Sequence, residues 1–109
     1  MIEKPNLLSK LNTIIDENLD QSNFTILDIC QSIGMSRTSL HRKVYEVTGL
    51  STSIYVRQYQ LEKAYEKLLS GNTTVGYVAY AVGFSDISYF SKCFKKYFGE
   101  NPSTILRAK

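Results

Sequence analysis

The chain contains the stretch Gly34-Met35-Ser36-Arg37-Thr38-Ser39-Leu40-His41-Arg42-Lys43-Val44. About 50 residues later comes a similar stretch, Gly83-Phe84-Ser85-Asp86-Ile87-Ser88-Tyr89-Phe90-Ser91-Lys92-Cys93-Phe94. Each begins with a glycine, an apolar residue and a serine, and continues as an amphipathic run whose outward positions are mostly polar or basic. A short apolar helical pattern precedes each glycine, and two helices separated by such a turn are typical of a helix-turn-helix. The sequence therefore predicts two helix-turn-helix units, and this motif indicates DNA binding.

The repeat extends on both sides of these two stretches. Four apolar positions before each glycine match at an offset of 49, so that Ile26, Ile29, Cys30 and Ile33 correspond to Val75, Val78, Ala79 and Val82. After one inserted residue the offset becomes 50, and Arg42 corresponds to Lys92, Val44 to Phe94, Gly49 to Gly99 and Arg57 to Arg107. A match that covers glycines, apolar positions and basic positions together indicates an internal duplication.

The spacing of apolar residues predicts how the domain is divided. Residues 1–109 form a single DNA-binding domain, in which 7–50 are the first helix-turn-helix subdomain, 51–70 a linker helix and 71–107 the second subdomain. The linker pattern is apolar on more than one side, which is typical of a helix that packs against two bodies. A helix of about 18 residues spans about 27 Å. This length is compatible with two recognition helices in successive major grooves, which lie roughly 34 Å apart.

Helix ends and inward faces are predicted from the same pattern. Thr25 and Asp28 resemble a capping box, and Ser36 and Thr74 stand where helix caps are expected. The first helix is expected to present one apolar face, consisting of Leu7, Leu8, Leu11, Ile14, Ile15 and Leu19. The second helix of each copy is expected to bury one stripe, Leu40, Val44 and Val47 in the first copy and Phe90, Phe94, Tyr97 and Phe98 in the second. A final short helix is predicted from Thr104 to Arg107.

Charge and composition narrow the function classes. Residues 1–28 have a net charge of −3 and residues 29–109 a net charge of +6, which fits a polyanionic partner but also an ordinary solvated surface. The sequence shows neither a signal peptide nor an apolar run long enough to span a bilayer, so we expect a cytoplasmic location without membrane contact. Two distant cysteines and a single histidine match no metal-site spacing, and we expect neither metal nor cofactor.

Candidate DNA contacts lie on the outward side of each second helix, since a recognition helix reads base edges with its N-terminal half. The expected base-reading residues are Arg37, Thr38, His41 and Arg42 in the first copy and Ile87, Ser88, Tyr89 and Lys92 in the second. The expected phosphate contacts are Ser36, Lys43, Lys95 and Lys96.

The first copy is expected to read bases more strongly. The guanidinium of Arg42 can form a bidentate pair with guanine, which contributes about 1–3 kcal/mol of discrimination. The ammonium of Lys92 lacks that fork. Three alternatives stay open in the second copy: Ile87 packs at the helix end, Tyr89 is half-buried beside Phe90, and Lys95 and Lys96 are solvated surface.

The sequence resembles the DNA-binding domain of the AraC/XylS family of bacterial transcription regulators. The resemblance rests on Gly34 to Lys43, Thr48 to Ser51 and, most specifically, the second-copy segments Val78-Ala79-Tyr80-Ala81-Val82-Gly83-Phe84-Ser85-Asp86, Ser88 to Lys92, Phe94 to Gly99 and Pro102-Ser103. It implies an all-α, homeodomain-like fold of seven helices, with two helix-turn-helix subdomains joined by a long central helix. It also implies RNA polymerase as a partner besides double-stranded DNA. The sequence of these segments also resembles the output module of a hybrid two-component regulator. This resemblance implies sensor or receiver domains elsewhere in a longer chain.

Two other function classes compete with sequence-specific DNA binding. One is an all-α protein-interaction module, in which the basic residues only keep the surface soluble. The other is an enzyme, but the sequence contains no phosphate-binding loop, no zinc-protease motif and no acid pair in helical register. We therefore expect no catalytic residues.

Overall fold

The computed structural model describes residues 7–108, and within them the chain is entirely helical with no strand. Seven helices occur in order: α1 (Leu7–Glu17), α2 (Ile26–Ile33), α3 (Arg37–Thr48), α4 (Thr52–Leu69), α5 (Val75–Ala81), α6 (Ile87–Phe98) and α7 (Pro102–Ala108). The expected all-α fold with seven helices is confirmed. The pairs α2/α3 and α5/α6 are the two helix-turn-helix motifs, and α4 is the long helix between them.

Within residues 7–108 the chain divides into two compact units. The first comprises residues 7–18 and 24–57, and the second comprises residues 19–23 and 58–108. The division falls inside α4, between Arg57 and Gln58, so the first part of this helix belongs to one core and the remainder to the other.

The first unit has a small aliphatic core. Its buried apolar residues are Leu11, Ile15, Ile29, Cys30, Leu40 and Val44, which come from α1, α2 and α3. Thr25 closes the start of α2 with the expected capping box, because its hydroxyl accepts from the Asp28 amide at 3.2 Å while its own amide donates to the Asp28 carboxylate at 2.8 Å. In the same unit the Tyr55 hydroxyl of α4 donates to Asn12 of α1 at 2.6 Å. Local caps and this long-range bond hold α1, α2 and α4 in place.

The second unit has a core rich in aromatic rings. The fully buried rings of Phe90 and Phe94 lie 5.7 Å apart, and Phe84 meets Phe90 edge-on at 5.2 Å. α4 contributes one stripe to this core, formed by Leu61, Ala64 and Leu68 at the spacing of a helix face. Aromatic pairs in such offset and edge-on arrangements stabilise a core beyond the area that they bury.

Three residues assigned to inward faces lie elsewhere. Val47 is 60% exposed, because the buried stripe of α3 ends one turn earlier, at Val44. Tyr97 is 37% exposed at the edge of the α6 stripe, where its hydroxyl stays at the surface and donates to the Glu62 carboxylate at 2.8 Å. Burial and, after it, this hydrogen bond raise the pKa of Tyr97 above its ordinary value. Leu19 lies beyond the end of α1 and packs against the core of the second unit.

The last helix begins two residues earlier than expected. α7 starts at Pro102. Proline suits the first helical position, because the amide hydrogen that it lacks would have no acceptor within the helix there. The Thr104 amide donates to the Asn101 carbonyl at 3.0 Å, which places the first turn before the expected start.

The two turn glycines, Gly34 and Gly83, are required for different reasons. Gly34 is the left-handed C-cap of α2, with φ at 75°, and open space surrounds the position that a Cβ would occupy. Gly83 also has positive φ, at 96°, but a Cβ there would lie 2.7 Å from the Leu19 carbonyl oxygen and 2.9 Å from the Gln60 amide nitrogen. The second turn therefore needs glycine both for its backbone conformation and for close packing.

Gly83→Ala is expected to destabilise the protein more than Gly34→Ala. The Gly34 variant suffers only left-handed strain, about 1–2 kcal/mol, whereas the Gly83 variant must also displace a backbone carbonyl, for a total of about 3 kcal/mol or more. Chemical denaturation of both variants measures the difference. Equal losses of unfolding free energy would contradict the close contact at Gly83.

Phe94→Ala is expected to lower the free energy of unfolding by about 3–5 kcal/mol, since it empties a fully buried site between aromatic rings. Val47→Ala is the control, and because Val47 is exposed it should change stability by less than about 0.5 kcal/mol. Thermal and urea unfolding monitored by circular dichroism measure both. A mild effect of Phe94→Ala would show that the aromatic stripe contributes little to the core.

Candidate nucleic-acid interface

α3 exposes the residues that are expected to contact DNA in the first copy. Its start is fixed by Ser36, whose hydroxyl accepts from the Ser39 amide at 3.1 Å. Its rotation is fixed by Leu40 and Val44, which are completely buried. The opposite side of the helix therefore faces outward, and all the expected contact residues of this copy are exposed: Ser36, Arg37, Thr38, His41, Arg42 and Lys43.

α6 exposes the corresponding residues of the second copy. Asp86 caps this helix, and its carboxylate accepts from the Tyr89 amide at 3.1 Å. Phe90 and Phe94 are completely buried and fix the rotation of the helix as Leu40 and Val44 do in α3. The expected contact residues of this copy are all exposed: Ile87, Ser88, Tyr89, Lys92, Lys95 and Lys96.

The structure brings only some of these residues together. Arg37, Thr38 and His41 line one depression in the first unit, whereas Arg42 and Lys43 do not take part in it. Lys92, Lys95 and Lys96 line a depression in the second unit, together with Ser91 and Asn101. Each copy therefore presents its own cluster of positively charged or polar side chains.

Two side chains of α6 have apolar neighbours that limit their freedom. A Cβ added to Gly76 would lie 3.1 Å from the Ile87 side chain, so Ile87 sits directly over the α5 backbone. The Tyr89 ring is half-exposed and lies 6.1 Å from the Phe84 ring. Both side chains therefore lie at the protein surface with one side packed against apolar neighbours.

The electrostatics of the two helices differ at their starts. α3 begins with the neutral cap Ser36, while α6 begins with the carboxylate of Asp86. A negative charge at a helix start stabilises the helix but opposes an anion at the same place. Within residues 7–108, the cationic side chains expected to contact DNA form no ion pair: Arg37, Arg42, Lys43, Lys92, Lys95 and Lys96. In that part of the chain no carboxylate is paired with these positive charges.

Sequence reasoning misses two features of this surface. The similarity of the two stretches pairs Ser85 with Ser36, but the inserted residue makes Asp86 the cap of α6. The run Ser51-Thr52-Ser53 is typical of a helix cap, yet all three residues also line the depression beside α3. Applying the offset of 50 to Ser36 identifies Asp86 as the cap of α6. The depression beside α3 can be seen only in the folded structure.

Neither a metal cluster nor a membrane-spanning helix occurs in the part of the chain that the structure describes. No group of three or more His, Cys, Asp or Glu residues there is arranged to hold a metal ion. No helix among residues 7–108 is long and apolar enough to cross a membrane.

These features define a class of protein: a duplicated helix-turn-helix domain whose second helices both expose cations that form no ion pair among the described residues. A family model described as a helix-turn-helix domain matches residues 29–108. The chain belongs to the AraC/XylS family of DNA-binding domains, and its function is DNA binding in the regulation of transcription.

Three similar proteins indicate the contexts in which such domains occur. The chain is 34% identical over 97 residues to histidine kinase P4 of Formosa agariphila, covering 89% of the chain and 7% of the kinase. It is 34% identical over 95 residues to the transcriptional activator NphR of a Rhodococcus species, covering 87% of the chain and 28% of the activator. The C-terminal domain of the two-component response regulator yesN from Fusobacterium nucleatum superimposes with a TM-score of 0.81 at 28% identity, covering 94% of this chain and 99% of that domain. The chain thus spans less than a third of these two sequence relatives.

Arg42→Ala is expected to relax base preference at one position of the bound DNA, because it removes an exposed guanidinium from the outward face of α3. Discrimination there should fall by about 1–3 kcal/mol. Arg42→Lys keeps the charge without the bidentate fork and should lose much of the same preference. Sequencing of DNA selected by each variant measures the effect. An unchanged preference in both variants would contradict a base-reading role for Arg42.

Proposed function

We propose that the domain binds a specific double-stranded DNA site with both recognition helices, α3 and α6, placed in successive major grooves. The observation that carries this proposal is the exposure of cations on the outward side of both helices, opposite a buried stripe that fixes their rotation. These cations form no ion pair within residues 7–108. Phosphate contacts supply affinity and base contacts supply specificity. A bipartite, asymmetric site is the expected target.

The two copies differ in the chemistry that they offer to DNA. The α3 surface carries guanidinium and imidazole groups, which suit hydrogen bonds to base edges. The α6 surface carries three lysines on two consecutive turns, which suit phosphates. The apolar edge of Ile87 on the same helix can meet a thymine methyl. We assign base reading mainly to Arg37, Thr38, His41 and Arg42, and backbone affinity mainly to the second copy.

The domain is proposed to work within a longer regulator in the cytoplasm. The relatives include a histidine kinase, and a similar solved structure is the C-terminal domain of a two-component response regulator, so sensor or receiver domains are the natural source of the signal. RNA polymerase is the proposed target of the regulation. Because all identified chemistry concerns binding, we assign the domain no catalytic role.

In vitro selection from a random duplex library tests the central proposal. The expected result is an enriched motif with two separated blocks, and a hydroxyl-radical footprint protecting two regions one helical turn apart. Binding should weaken steeply with salt, because neutralised phosphates release counterions. No enrichment, or binding that ignores salt, would favour a protein-interaction module instead. A single enriched block would show that one recognition helix suffices.

Lys96→Ala is expected to weaken binding to all DNA sequences similarly and to reduce the slope of log K against log salt by about one. Lys67→Ala is the matched control, since Lys67 is an exposed lysine of the same unit outside both depressions. Fluorescence anisotropy at several salt concentrations measures both variants. A loss confined to particular sequences would place Lys96 at a base edge.

A further inference from the structure

A depression lies beside the first recognition helix, at the point where α4 begins. We name it the α3/α4 notch. Besides one apolar residue of α2, it is lined by Arg37, Thr38 and His41 from α3 and by Ser51, Thr52 and Ser53 around the start of α4. None of its lining residues carries a carboxylate, so the notch has only neutral and cationic groups to offer a ligand.

Thr52 is the unusual residue of the notch. Its side chain is only 5% exposed, and its hydroxyl oxygen is buried without a hydrogen-bond partner among the described residues. A buried hydroxyl without a partner costs stability, and such groups are rare in native proteins unless another molecule completes their bonding. The hydroxyl of Thr52 can therefore donate to an acceptor that residues 7–108 do not supply.

The start of α4 adds backbone donors to the same place. Ser51 caps the helix, with its hydroxyl accepting from the Ile54 amide at 3.2 Å and its carbonyl from the Tyr55 amide at 2.9 Å. The amides of Thr52 and Ser53 precede these bonds, and amides of a first turn have no acceptor within their own helix. α4 is 18 residues long, so the partial positive charge of its dipole is fully developed at this end.

Arg37 and His41 complete the set from the side of α3. Both are exposed, and Arg37 forms no ion pair within residues 7–108. A guanidinium, an imidazole, two backbone amides and an unpaired hydroxyl thus surround one space. All of these groups can donate a hydrogen bond, and the fixed charges are positive, which is the donor set of an anion site.

We propose that the α3/α4 notch holds one phosphate of the DNA backbone, bound by the Thr52 hydroxyl, the first-turn amides of α4 and the guanidinium of Arg37. The proposal rests on the DNA-binding function above. DNA is the source of the phosphate because three lining residues belong to the recognition helix, whose flanks meet the backbone when the helix lies in the major groove.

The internal repeat supports an anion at this position. In the second unit, a depression between α6 and the residue before α7 is lined by Ser91, Lys92, Lys95, Lys96 and Asn101. Ser91 and Asn101 correspond to His41 and Ser51 at the offset of 50. Both copies therefore have a depression with positive charge that includes this pair of equivalent positions, although the other lining positions differ.

The notch gives residues of the first recognition helix two different roles. Arg37 and His41, which were assigned to base reading above, line the notch, so we reassign them to positioning the helix on the backbone. Arg42 lies outside the notch and remains a base reader. A base reader and a phosphate contact respond differently to substitution: the first changes sequence preference, and the second changes affinity for every sequence.

Ser53→Asp tests the site directly, because it puts a negative charge at the notch while an acid in a first turn favours the helix. The variant should bind the selected duplex about tenfold more weakly, with a salt slope lower by about one and unchanged base preference. Ser53→Asn controls for size. Ser9→Asp controls for charge, since Ser9 is an exposed serine in the first turn of α1. Equal binding by Ser53→Asp, Ser53→Asn and Ser9→Asp would overturn the proposal.

Neutral methylphosphonate substitutions, placed one at a time along both strands of the duplex, locate the phosphate. Wild-type protein should lose affinity at one position that the Ser53→Asp variant no longer senses. If every position affects both proteins equally, no phosphate occupies the notch. Inorganic phosphate at constant ionic strength separates the sources: shifts of the Thr52 and Ser53 amide signals without any methylphosphonate effect would assign the notch to free anions and overturn the proposal.

Thr52→Val distinguishes phosphate binding from a purely structural role of the hydroxyl. Removing the unpaired hydroxyl should raise the melting temperature of the free protein and lower its affinity for DNA. A variant that melts higher but binds DNA as wild type does would overturn the role of Thr52. If wild-type protein itself enriches no DNA, the proposed function fails first; if it binds DNA and the notch variants bind equally well, only the notch proposal fails.

Discussion

The orientation of each recognition helix depends on two buried side chains one turn apart. Leu40 and Val44 hold α3, and Phe90 and Phe94 hold α6. Successive residues of a helix are about 100° apart, so a slip of one position in one direction would turn Lys43 of α3 or Lys95 of α6 toward the core. Burying an unpaired charge costs far more than the slip could gain. The inner stripe therefore determines which residues can face a ligand, and every functional assignment on these helices depends on it.

The two copies satisfy that constraint with different chemistry. The first core is aliphatic, while the second stacks aromatic rings around Phe94. The caps differ in charge, since Ser36 is neutral and Asp86 is an anion. Because a carboxylate at the start of α6 opposes a nearby phosphate, the positive potential of the second copy lies further along the helix, at its lysines. Duplication preserved the arrangement of helices and allowed the surfaces to diverge.

Local interactions explain which parts of the fold could be predicted from sequence. The caps at Thr25, Ser36 and Thr74 were predicted correctly because each is a bond between residues three apart. The inward positions predicted for Tyr97 and Leu19 were wrong, because their environments depend on partners far away in the sequence. Tyr97 bonds to Glu62, and Leu19 packs against the core of the second unit. Periodicity identifies a face of a helix, but it does not say where the packed part of that face ends.

The same reasoning explains why the exposed surface could be predicted from the sequence whereas the role of each residue in binding could not. Helix periodicity accounts for the exposure of the expected contact residues, but the role of each depends on DNA, which lies outside the chain. The α3/α4 notch could be recognised only from the folded structure, because its lining residues come from both sides of Gly49 in the sequence. Lys92, Lys95 and Lys96 stand three and four residues apart on one helix, where like charges repel by a few tenths of a kcal/mol per pair. Bound phosphates would relieve that repulsion and release counterions, so a surface that is slightly unfavourable in the free protein becomes a source of affinity in the complex.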